Sequence, residues 1–222
     1  MFILNSLPNA IPAEELALLR KAEPAVIGHF RYAGFMSNDI RAHFQDVRIS
    51  GTAITARTPA MDGSIVHYAI GQARAGDVLV IDRCGDTSIA AIGGALAYAA
   101  KCIGLAGIIV DGVVTDLGEL RQYGVPVWSK GATAVTVKSL GLGGEFCVPV
   151  SCGGVAVTPG DAILADENGV LVIPRADIDA SARRAIQMSL DEKTTLARLD
   201  AGEKYPDIMG TSELIRKAMT KA

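Results

Sequence analysis

From residue 64 to residue 131 the apolar positions switch between two periods. "DVLVID" (77–82) and "GIIV" (107–110) are continuous apolar runs of the length of strands buried on both faces. "VPVWSKG" (125–131) reads as a third strand. Helical spacing fills the intervals: "DGSIVHYAIGQARAG" (62–76), with Asp62 or Ser64 as cap and Gly76 past the end, an Ala/Gly-rich segment over 85–107, and "DLGELRQYG" (116–124). The order α, β, α, β, α, β predicts parallel strands joined by right-handed helical crossovers.

The flanks differ in character. "IPAEELALLRKAEP" (11–24) predicts a short helix with Pro12 in its first turn and Pro24 as its stop, and "VRISGTAITARTP" (47–59) a strand ended by Pro59. Residues 141–174 show no helical period. Turn signals at "TPGD" and "DENG" separate short Val/Ile-rich runs, which predicts a β-meander closing onto the first half. "ADIDASARRAIQMSLDEKTTLARLDAGE" (176–203) predicts a long polar-faced helix, and "GTSELIRKAMTKA" (210–222) a final short one capped by Thr211 or Ser212. No internal repeat or low-complexity linker appears. The expectation is one domain over 1–222, with a core at about 25–175 and a helical arm over 177–222.

Composition narrows the function classes. Half of the 222 residues are hydrophobic and one fifth are charged, which excludes a disordered chain and suits a buried α/β core or an oligomer. The net charge is -3 and the basic residues are scattered, so there is no field to hold nucleic acid. Any anionic ligand must be met by local donors. Four cysteines without a C-x-x-C pair, and three histidines, argue against structural zinc and for free thiols in a reduced cytosol. The start "MFILNSLPNA" has no basic n-region, and no apolar run reaches the roughly 18 residues of a membrane span. A cytoplasmic protein is expected.

Ligands of parallel α/β sheets gather beyond the carboxyl ends of the strands. Those ends carry "IDRCGD" (81–86), "VDGVVTD" (110–116) and "WSKG" (128–131), bringing Asp82, Arg83, Asp86, Asp111 and Asp116. One or two carboxylates with waters suffice for a hard cation. Asp86 equally fits a cap before "TSIAAI", and at Asp116 capping and metal binding are compatible. The glycines of "GGALA" (93–97) allow close backbone packing, or a helix starting near Gly94 or Ala95 whose free N–H groups cradle an anion. No G-x-G-x-x-G, G-x-S-x-G or G-x-x-x-x-G-K-[ST] is present. His29, His43 and His67 have no motif context and read as structural or surface residues.

The order of "GD"-strand, "GGALA", "DGVVTD", "VPVWSKG", "CGG", "PGD" and "DENGV" resembles the family that includes the regulator of ribonuclease activity A and the class II pyruvate aldolases, over roughly residues 25–200. The resemblance implies a swivelling β/β/α fold assembled as a trimer or a dimer of trimers, with sites between subunits. It implies a Mg²⁺ or Mn²⁺ ion held through Asp116 and waters. The substrate implied is a small anionic 2-keto acid, its carboxylate met by backbone N–H groups of Gly94, Ala95 and Leu96. A carboxylate from the neighbouring subunit's C-terminal helix completes the site, with Glu192 the candidate and Asp191 next to it.

Two positions depart from the aldolases. They carry an arginine immediately before the metal aspartate, where this chain has Thr115, and often an acid where it has Gly94. Threonine cannot imitate a bidentate, permanently charged donor. Arg83, at the neighbouring strand end, is expected to supply that charge from another direction. Three functions follow: a metal-dependent lyase acting by retro-aldol cleavage of a 4-hydroxy-4-methyl-2-oxoglutarate-like substrate or by oxaloacetate decarboxylation; a non-catalytic regulator of a ribonuclease or other protein; or an enzyme of the same scaffold acting on a different anionic metabolite.

Overall fold

The computed structural model describes residues 1–220. The chain begins with β1 (Phe2–Leu4), α1 (Ala13–Leu19), α2 (Pro24–Ile27) and β2 (Arg41–Ala42). Pro24 does not merely stop α1; it opens α2, where its missing N–H is no loss. The alternating block follows as β3 (Ile49–Arg57), α3 (Ser64–Gln72), β4 (Asp77–Asp82), α4 (Gly94–Ile103), β5 (Gly107–Val114), α5 (Leu117–Tyr123) and β6 (Val127–Ala132). Strands β3, β4, β5 and β6 lie side by side in that order and all are parallel, as the pattern predicts.

Both faces of this block are covered. Leu79 and Ile81 of β4 face a core shared with α3, α4 and α5, while Val78 and Val80 face the opposite core with Trp128. Period-two side chains on a strand sandwiched this way need no polar face, which is why "DVLVID" is buried throughout.

The second half contributes β7 (Gly144–Phe146), β8 (Val150–Cys152), β9 (Val155–Val157), β10 (Ala162–Asp166) and β11 (Gly169–Ile173). The long strand β3 is shared along its outer side. Its first half pairs antiparallel with β10, and Ala56 and Arg57 near its end pair with β7. The expected meander therefore joins the parallel block in one nine-stranded sheet, and only β8 and β9 form a separate hairpin over its second face.

A helical arm closes the chain: α6 (Ile178–Asp200), α7 (Tyr205–Ile208) and α8 (Thr211–Met219). The first turns of α6 bury Ile178, Ala182 and Ala185 with Leu19 of α1 and Leu164 of β10. Its later turns expose Leu190 and Leu196, and α8 buries nothing. The cap expected from Thr211 or Ser212 is not made: Gly210, at φ 71°, ends the preceding turn, and the Thr211 hydroxyl donates to the Pro206 carbonyl. Among the described residues no helix is long and apolar enough to cross a membrane.

Candidate functional site

The alanine-rich segment resolves into a loop and a helix. Residues 83–93 are irregular, and α4 begins at Gly94 with Gly93 in an extended N-cap conformation. The helix proper thus starts at Gly94, and both glycines are also closely packed. The first backbone bond into the helix runs from Ala97 N to Gly93 O, so the N–H groups of Gly94, Ala95 and Leu96 precede it. Gly94 N–H donates to Asp116 Oδ2 at 2.9 Å.

Asp116 occupies the N-cap position of α5 yet makes no cap bond there. Its backbone sits at φ 56°, an uncommon left-handed conformation for a non-glycine residue. That conformation turns the carboxylate away from its own helix and towards α4, and Thr115 Oγ1 donates to its other oxygen at 3.2 Å. At both glycines the missing side chain leaves room for side chains from around the start of α5. A Cβ at Gly93 would stand 2.6 Å from Asp116 Oδ2, and one at Gly94 would stand 1.6 Å from Glu119 Oε2. The Glu119 carboxylate occupies the space a side chain at residue 94 would need.

Asp116, Thr115, Gly94, Ala95 and Leu96 line one cavity of about 170 Å³, and His67 of α3 stands in its wall. Its remaining wall includes Thr136 and Val137, from a segment zipped across the sheet ends. Ala90 N donates to Val135 O, Val137 N to Ala90 O, and Lys138 N to Met61 O. Asp62 anchors the end of that segment, accepting from Leu140 N, Leu142 N and Gly143 N as well as from Ser64 N and Oγ. Burial opposes ionisation of Asp62, but the bonds from Ser64, Leu142 and Leu140 outweigh it and hold its pKa well below the ordinary carboxylate value. Larger depressions exist, including one of about 550 Å³ beside His43 and Arg121, but no carboxylate lines it.

Arg83 is not in the cavity, which corrects the expectation that it replaces the family arginine. Its side chain has no solvent exposure. It donates to the carbonyls of Thr58, Ala60 and Ile89 and to Asp86 Oδ2. Burial pulls its pKa down, and the Asp86 carboxylate opposes that. Arg83 is therefore the internal brace of the 83–90 loop, and Asp86 turns the same loop by accepting from Ser88 N and Ile89 N. Asp82 pairs with Arg57, and Asp111 pairs with Lys130 at 2.6 Å and accepts from Gly153 N. Of the five charged residues at the strand ends, only Asp116 lines the cavity.

Glu192 and Asp191 lie on the exposed stretch of α6 and line a different cavity with His29, Met188 and Met209. The cavity lining of a single protomer does not bring them together with Asp116. Sequence reasoning also passed over His67 and Glu119. The first has no motif around it, and the second reaches the site only because α5 starts beside α4.

Among the described residues no three His, Cys, Asp or Glu side chains gather as a metal cage. What Asp116 offers is one hard carboxylate with lone pairs beyond the two it uses, beside free backbone donors. That fits a cation held by one or two carboxylates, waters and substrate oxygens, as Mg²⁺ is commonly bound.

A putative 4-hydroxy-4-methyl-2-oxoglutarate aldolase from Halalkalibacterium halodurans is 33% identical over 71% of this chain and 75% of its own length. The RNA-processing inhibitor RraA from Thermus thermophilis superposes with a TM-score of 0.61 at 31% identity, covering 68% of this chain and 90% of that one. RraAS2 from Streptomyces coelicolor, described as an unusual member of the RNase ES inhibitor RraA family, gives 0.74 at 25% identity over 86% and 98%. The profile of the family described as RraA-like, Aldolase/RraA, matches residues 24–172, and the chain belongs to that family.

Proposed function

We propose that the protein is a divalent-metal-dependent lyase that cleaves a small 2-keto acid, by retro-aldol cleavage of a 4-hydroxy-4-methyl-2-oxoglutarate-like substrate or by decarboxylation of oxaloacetate. The observation that carries this reading is the meeting of Asp116 with the free N–H groups at the start of α4 in one small cavity. Relatives named as aldolases support the reaction class.

Asp116 would hold Mg²⁺ or Mn²⁺, which when bound supplies Lewis-acid stabilisation for the negative charge that develops on the keto oxygen. The backbone N–H groups of Ala95 and Leu96 face the carboxylate end of the substrate, where the positive end of the α4 dipole favours an anion. Gly94 N–H and the Thr115 hydroxyl fix the Asp116 carboxylate. Thr136 and Val137 form one wall of the cavity of about 170 Å³. Glu192 of a second copy would bring the further carboxylate, in a trimer or a dimer of trimers.

The test is production of pyruvate from oxaloacetate and from 4-hydroxy-4-methyl-2-oxoglutarate, followed by NMR with added Mg²⁺ or Mn²⁺. Turnover lost with EDTA and with Asp116→Ala supports the reading. No turnover of any 2-keto acid, together with no Mn²⁺ binding, favours the second reading, a regulator acting on a protein partner. One observation already leans that way: no arginine or lysine among the described residues lines the cavity.

A further inference from the structure

That missing charge leads to a residue assigned no role so far. A carboxylate needs more than two backbone donors when it leaves water, because a buried ion is costly unless paired or fully hydrogen-bonded. Arg83 cannot turn towards it, being enclosed and engaged with three carbonyls and Asp86. Thr115 gives its hydroxyl hydrogen to Asp116. On the cavity wall, one side chain remains that can donate strongly and can carry positive charge, the imidazole of His67.

Its position is built. His67 lies one turn into α3, whose start is pinned by the Asp62 bonds to Ser64. Ser139 Oγ stands 3.4 Å from His67 Nδ1. Gly63 keeps the neighbouring segment close: a Cβ there would fall 2.4 Å from Val137 Cγ2. His67 thus shares one wall of the cavity with Thr136 and Val137 of the facing segment.

We propose that His67 binds the anionic end of the substrate in the Asp116 cavity, as the side-chain donor that partners the α4 N–H groups. The inference rests on the keto-acid reading for the identity of the anion, but not on turnover. It gives the site an anchor: the 2-keto-acid end of the substrate is held by one imidazole and a helix start.

The experiment is calorimetric titration of pyruvate into the full-length protein with saturating Mg²⁺, for wild type, His67→Ala and His67→Lys. Methyl pyruvate, the neutral ester, is the control ligand. Loss of one charge-assisted donor should weaken pyruvate binding about tenfold or more in His67→Ala. His67→Lys should restore most of it, and methyl pyruvate should be indifferent to both changes. His67 is exposed on a helix, where alanine is well tolerated, and a thermal melt confirms folding. In parallel, the imidazole ¹H–¹⁵N signals of His67 should shift with pyruvate and not with the ester.

Equal pyruvate affinity in wild type and His67→Ala overturns the proposal. So does an equal loss for pyruvate and its ester, which would mean packing instead of charge, and so does absence of pyruvate binding by the wild type. His67-dependent pyruvate binding without turnover of any 2-keto acid would leave the proposal standing and remove the lyase reading.

Discussion

The carboxylate of Asp116 caps a helix that is not its own: from the first residue before α5 it accepts the N–H of Gly94, 2.9 Å away at the start of α4. Two helix starts are thereby tied together at the carboxyl end of β5, and one acid serves as both brace and candidate ligand.

Asp116→Asn keeps the shape and can still accept the Gly94 N–H, but it loses the charge. Mn²⁺ affinity, read by electron paramagnetic resonance of free Mn²⁺, should fall about a hundredfold or more, with little change in melting temperature. Removing metal with EDTA from the wild type should abolish pyruvate formation, and Mg²⁺ or Mn²⁺ should restore it.

The two glycines should respond differently to alanine. At Gly93 the new methyl collides with Asp116 Oδ2 and with Thr115 Cγ2, at 2.6 and 2.9 Å. Displacing them should lower kcat/KM by about a hundredfold, since misplacing a catalytic group by an ångström has that effect. At Gly94 the collision is with the end of the exposed Glu119 side chain, which can swing into solvent. Gly94→Ala should leave stability within about 1 kcal/mol of wild type, helped by the better helix propensity of alanine. Steady-state kinetics and thermal melts of the two variants check the contrast.

Arg83→Met tests the loop brace. It removes the donor to three carbonyls and leaves Asp86 without its partner in a largely buried setting. A loss of about 3 kcal/mol in urea unfolding is expected. Ligand affinity of the folded fraction should change little, because Arg83 does not line the cavity.

Asp62 gives stability a pH dependence. Its pKa is depressed on folding, so its contribution is complete above the unfolded value of about 3.9 and is lost as pH falls through the lower native value. Asp62→Asn should cost about 3 kcal/mol near neutrality, since it unbalances several buried donors. The gap between variant and wild type, measured by urea unfolding from pH 7 to pH 2, should narrow only below about pH 4.

Local pattern carried most of the architecture. Continuous apolar runs such as "DVLVID" can be covered only by layers on both faces, and the intervening helical period leaves parallel crossovers as the solution. The apolar run that ends at Val110 also places Asp116 beyond the carboxyl end of a strand, on the ligand side of a parallel sheet. Other parts were not legible. The apolar pattern of "ATAVTVKS" (132–139) does not say that it crosses the sheet ends to enclose a cavity, because its partners at Met61, Gly63 and Ala90 are distant in sequence.

The same distinction separates the charged residues. By strand position alone, Asp82, Arg83, Asp86, Asp111 and Asp116 sit alike at neighbouring strand ends, and the family resemblance is what singles out Asp116. Four of them are closed into pairs and turns. Only packing shows which, since a carboxylate or guanidinium is available for chemistry when no neighbour satisfies it, and neighbours are set by the fold. Chain order by itself determined the parallel strands and placed Asp116 at the carboxyl end of one of them. The tertiary structure alone decided that Arg83 is a brace, that Glu119 fills the space beside Gly94, and that His67 lines the same cavity as Asp116. Periodicity records which side of an element is buried, whereas the side chains that share a cavity depend on elements meeting from distant parts of the chain.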